Sequence, residues 1–182
     1  MIIIYLTLIS CVLIAAIYDA ALQKIPNWIS LVIVLLGLGW NIFSAEGLGV
    51  RDSGFGLLVG FLLMLPSYVF GGMGAGDVKL MAAIGSVVGI NQVLDLVFYS
   101  YMAMFGMAIL FIVVKGDLVK LLCRLRTLIY GLFAGVLAYQ KPDPSDAASS
   151  RLPLAPAIAL ATCYVLYPVL CNSGFMADLC LY

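Results

Sequence analysis

The chain has 182 residues, 65% of them hydrophobic and 10% charged, with zero formal net charge and no histidine; its mean hydropathy is +1.18. Soluble domains sit near 45–50% apolar and about 25% charged, so the composition belongs to the membrane class. Zero net charge gives no global field to draw nucleic acid. Without His, the commonest general base and zinc ligand are gone, and catalysis falls to Asp, Glu, Lys, Tyr, Cys or Ser.

A helix needs about 20 apolar residues to cross a bilayer. The opening MIIIYLTLIS has no basic residue before its apolar run, which predicts a retained first span, Ile2–Tyr18, and not a cleaved signal. Asp19 follows, and Pro26 marks the start of a second span, Asn27–Ala45. The third, Gly54–Gly72, lies in a run of 24 residues without a charge, Ser53 to Gly76. That run ends in GGMGAGDVKL (71–80), which brings Asp77 and Lys79. A fourth span, Leu80–Leu94, and a fifth, Leu96–Val114, are expected to join in a tight turn around Asn91–Asp95. The sixth is Leu152–Leu170. In lipid, backbone polar groups must be satisfied within the segment, and no period-2 alternation suggests a barrel. The expected fold is all-α: one membrane-embedded domain, 1–182, of about six transmembrane helices, without internal repeats.

The long segment 115–151 is expected to be cytoplasmic. Lys120, Arg124, Thr127 and Gly131 fall on one helical face within 118–138, and leucines cover much of the rest. This reads as an interfacial amphipathic helix followed by a polar linker, KPDPSDAASSR. Eight of the nine basic residues (Lys24, Lys79, Lys115, Lys120, Arg124, Arg126, Lys141 and Arg151) fall in loops on one side, and Arg51 on the other. The positive-inside rule makes the first side cytoplasmic and puts both termini outside. The five cysteines have no C-x-x-C spacing, so no metal site is expected. Cys171 and Cys180 are a possible pair.

Two carboxylates reach membrane depth, where an ionisable group is a functional candidate by default. Asp19 ends the first span and Asp77 the third, so both lie near the cytoplasmic face. An isolated Asp at a helix end is often only a cap, and Asp77 suits the N-cap of the fourth helix. Gly74 and Gly76 either admit an extended substrate strand beside Asp77 or let helices pack closely. Lys79 has three readings: tuning Asp77, holding lipid phosphates, or serving the inside-positive balance. The last two are favoured. Two neighbouring carboxylates can share one proton. The ionised member activates water, and the protonated member serves the scissile carbonyl and the leaving amine. That chemistry needs neither metal nor cofactor. A small ion or solute transporter, or a structural membrane subunit of a secretion system, stays open as an alternative.

Asp19 followed after six residues by Pro26-Asn27, then GAGDVKL (74–80) and LPLAPAIALA (152–161), resembles the type IV prepilin peptidase family, the GxGD aspartic peptidases. The likeness is to the short form that serves Tad-type (Flp-like) pili. It implies a multi-pass protein of the bacterial inner membrane that cuts the basic leader of prepilins and pseudopilins on the cytoplasmic side. It maps the two catalytic aspartates onto Asp19 and Asp77, and the motif glycines onto Gly74 and Gly76. Long members carry a cytoplasmic domain with paired cysteines and N-methylate the product. This sequence has neither that insertion nor that spacing.

Overall fold

The computed structural model describes residues 2–23, 25–43, 49–69, 72–115 and 154–172. All regular structure among them is helical: α1 (Ile2–Leu22), α2 (Asn27–Phe43), α3 (Val50–Val69), α4 (Ala75–Lys115) and α5 (Ala155–Asn172). The amphipathic segment expected over 115–151 and Cys180 lie outside the described residues beyond Lys115. Cys11, Cys163 and Cys171 are free thiols.

By length and composition, three stretches can cross a membrane: Ile2–Leu22, Val50–Val69 and Ala75–Leu110. Asn27–Phe43 and Ala155–Cys171 are shorter apolar helices. The all-helical class of the expectation holds, while its count of six spans exceeds these. The side chains facing outward are themselves apolar, Ile3, Leu13, Ile17, Leu35, Phe55, Leu62 and Leu160 among them, as a lipid-facing surface requires.

The helix ends follow local chemistry. α1 stops at Gln23, which takes a left-handed φ of 52° and donates its N–H to the Asp19 carbonyl (2.8 Å). Pro26 then sets the entry to α2, its carbonyl accepting the Ile29 N–H (3.1 Å). Inside α3, Pro66 removes one backbone donor. One turn away the Tyr101 hydroxyl donates to the Leu63 carbonyl (2.9 Å) and pairs with Ser67 Oγ (2.8 Å).

α4 differs most from the sequence reading. As one straight helix its 41 residues would run about 60 Å, twice the hydrocarbon thickness. It has a break at Gly89, with φ 79° and ψ 179°. A Cβ on Gly85 would lie 3.1 Å from a Val93 methyl, although eight residues along a straight helix span about 12 Å. A Cβ on Gly60 would meet both the Met81 carbonyl (2.9 Å) and Val93 (3.2 Å). The chain therefore doubles back at Gly89. The turn expected at Asn91–Asp95 falls instead within the helix, with the reversal two residues earlier at Gly89.

The reason is packing. Gly56 of α3 faces Gly85 and Gly89 of α4, and Gly60, one turn on, faces the Met81 carbonyl and Val93. A Cβ on Gly56 would collide with the Gly85 carbonyl, and one on Gly85 with the Gly56 carbonyl. Small residues at this spacing let helix backbones touch. The Ser86 carbonyl, three residues before the break, receives Asn41 Nδ2 (3.1 Å) and Ser53 Oγ (2.5 Å). Side chains of α2 and α3 thus donate to the backbone where the ladder is interrupted.

The first half of α4 is the core. Val78, Leu80, Met81, Ala83, Ile84, Val87 and Val88 are all buried. A helix apolar all round is an internal one. α1 buries one stripe, Ile4, Leu8, Val12, Ala15, Ala16 and Asp19, and packs against α5 and α2.

Candidate active site

The two aspartates come from elements far apart in sequence and end up together. α1 runs to Leu22, one turn further than expected, so Asp19 occupies its last turn. α4 begins at Ala75, so Asp77 lies within its first turn rather than at the N-cap. Asp19 is 7% exposed and Asp77 6%. Their carboxyl groups lie within electrostatic reach of each other.

Backbone amides hold both acids. Asp77 Oδ2 accepts the Gly74 N–H (3.3 Å), and the Asp77 N–H donates to the Gly74 carbonyl (3.2 Å). This is the carboxylate half of a capping box: the third helical residue reaches back to the N-cap amide. Asp19 Oδ2 accepts the N–H of Ala155, the first residue of α5, at 3.0 Å across 136 residues. Two helix N-termini therefore converge on the acid pair, each carrying roughly half a positive charge. The two acids are thus held by backbone amides, with no basic side chain bonded to them among the described residues. Asp77 Oδ1 is buried and makes no hydrogen bond among the described residues.

The other expected site residues have identifiable neighbours. A Cβ on Gly74 would sit 3.2 Å from Asp77 Oδ2, crowding the carboxylate. One on Gly76 would lie 3.0 Å from Ile25 Cβ, so the missing side chain makes room for the chain entering α2. Lys79 donates from Nζ to Asn27 Oδ1 (3.1 Å), not to an acid. The Pro-Asn element and the GxGD segment are thus docked at two points, Ile25 on Gly76 and Asn27 on Lys79. Sequence reasoning noted Ile25, Asn27 and Ala155 only as parts of motifs and missed the contacts they make. For Asn27 and Lys79, one amide and one ammonium at the same rim were the available signal. A backbone amide leaves no such sign.

A helical membrane protein with two buried, adjoining carboxylates at converging helix N-termini is the class that fold and site define. The family model described as the type IV leader peptidase family matches residues 6–109, which include Asp19, Asp77 and the docked Pro-Asn element. The chain belongs to that family. It is also 33% identical over 120 residues to a Prepilin leader peptidase/N-methyltransferase of Bacillus subtilis (strain 168), a match covering 62% of this chain and 45% of that protein. The chain thus spans about half the length of the curated relative it matches. No solved structure matches it.

Proposed function

We propose that this chain is a membrane aspartic endopeptidase that removes the leader peptide of type IV prepilins, with Asp19 and Asp77 as its catalytic pair. What supports the reading is that two buried carboxylates, from α1 and α4, lie within electrostatic reach of each other in the segment that matches the leader peptidase family. One shared proton lets the ionised acid draw a proton from water as it attacks the scissile carbonyl. The protonated acid hydrogen-bonds that carbonyl oxygen and then helps protonate the leaving amine. The bond broken is the peptide C–N and the bond formed is C–O to water, with no covalent enzyme intermediate.

The substrate is a prepilin or pseudopilin with a basic leader, and the Tad/Flp-like class is the one whose short peptidases the sequence resembles. The one-sided basic loops support a location of the pair at the cytoplasmic face of the inner membrane, where a leader would be presented. Gly74, Gly76 and Lys79, in the segment that carries Asp77, are assigned to shaping the loop against which the leader lies. The protein in detergent, incubated with candidate prepilins and analysed by mass spectrometry, is expected to cut at the leader junction. Asp19→Asn and Asp77→Asn are each expected to abolish the cut while leaving a folded protein. Wild-type cleavage by either variant would overturn the pair. Ion flux in liposomes without proteolysis would favour the transporter.

A further inference from the structure

The hydrogen bond from the Ala155 N–H to Asp19 Oδ2 joins α5 to an acid of α1, and nothing in the two-carboxylate chemistry requires it. Ala155, Ala157, Ile158 and Ala159 of α5 are buried, as are Ala15 and Ala16 of α1. Alanines on both sides let the start of α5 come close enough for its first amide to reach a short carboxylate. The first amide of a helix has no intrahelical acceptor, and a residue before the helix caps with its side chain the second or third amide, not the first. Asp19 of α1 supplies the acceptor for the Ala155 amide. Asp77, which interacts electrostatically with Asp19, has its Oδ1 buried and unbonded among the described residues.

We propose that the first peptide N–H of α5, at Ala155, is a positioning donor that fixes Asp19 by its Oδ2, so that only Oδ1 is presented to the attacking water and to Asp77. The carboxylate is thereby held in one rotamer at the point where α1 ends. A free Asp at a helix end would rotate, and its two oxygens would exchange. The bond is a charge-assisted one in a dry setting, the strong kind. The proposal rests on Asp19 and Asp77 being the catalytic pair.

Ala155 is the first residue of its helix, the position where proline is best tolerated. Ala155→Pro therefore deletes the donor while α5 can still start there. The full-length protein in detergent is assayed for steady-state cleavage of a prepilin. Ala155→Pro is expected to lower kcat about ten- to hundredfold with KM within twofold, the range for losing a hydrogen bond to a charged group. Ala155→Gly, which keeps the amide, is expected to restore kcat to within threefold of the unaltered protein. Should Ala155→Pro melt well below the parent, an amide-to-ester replacement at residue 155 removes only the N–H and decides the matter. Parental kcat in the folded proline or ester protein, or equal losses in the proline and glycine variants, overturns the proposal. Loss of cleavage in Asp19→Asn alongside such a result leaves the catalytic pair standing, whereas cleavage by Asp19→Asn sinks the pair itself.

Discussion

The acid end and the hinge end of α4 use the same small vocabulary for opposite purposes. At Gly89 the glycines bring backbones of α3 and α4 into contact, and every added polar group, Asn41 and Ser53, answers a backbone carbonyl. At Asp77 the glycines make room for a carboxylate and for Ile25, and one carboxylate oxygen has no partner among the described residues. The hinge end is close-packed, with donors to its interrupted backbone, which stabilises the fold. The acid end keeps two carboxyl groups buried within electrostatic reach of each other, which costs stability.

The largest test separates the two ends by what they lose. Asp77→Asn is expected to reduce cleavage at least a thousandfold, about 4 kcal/mol of transition-state stabilisation. The same change relieves the repulsion with Asp19 and keeps an acceptor for the Gly74 amide, so the melting temperature in detergent should stay level or rise. A clear drop in melting temperature would mean that the acid end is structural after all. At the hinge, Gly56→Val drives a branched side chain into the Gly85 carbonyl and the Gly89 backbone. It is expected to cost on the order of 3 kcal/mol in unfolding equilibria.

Smaller effects sharpen the contrast. Gly89→Ala places a Cβ at φ 79°, ψ 179°, a region essentially restricted to glycine, and is expected to cost about 1–3 kcal/mol. A thermal shift near zero would show that the reversal has an alternative route. Ser53→Ala removes one of the two side-chain donors to the Ser86 carbonyl, with an expected loss of about 1 kcal/mol. Lys79→Met breaks only the exposed contact with Asn27 and should change stability by less than about 1 kcal/mol.

Which parts of this could be read from the sequence follows from what sequence records. Asp19 and Asp77 stood out because charges are rare in this chain, and their place at span ends put them on one side. The reversal in α4 was assigned to Asn91–Asp95 because polar residues there look like a turn. The structure bends at Gly89, for the backbone approach to Gly56 outweighs the polarity of three residues. The small-residue spacings Gly56-x-x-x-Gly60 and Gly85-x-x-x-Gly89 were available as a packing signal and were the better guide. Gly76 suggested a place for a substrate strand, and the Ile25 side chain fills the volume a Cβ would take. The Ala155 amide was invisible, since every residue but proline carries one and only the fold selects which is used.

The bond between Asp19 and Ala155 also sets an order in time. A ribosome that has finished Asp19 must add 136 residues before the amide that caps it exists, roughly 7–27 s at 5–20 residues per second. Asp77 follows 58 residues after Asp19, just behind the Gly74 amide that holds it, so it can take its support as soon as it is made. The carboxylate made first is completed by a helix made last. A nascent chain is therefore born with Asp19 uncoupled from its final support, and its membrane neighbours meet the finished site only once α5 has arrived.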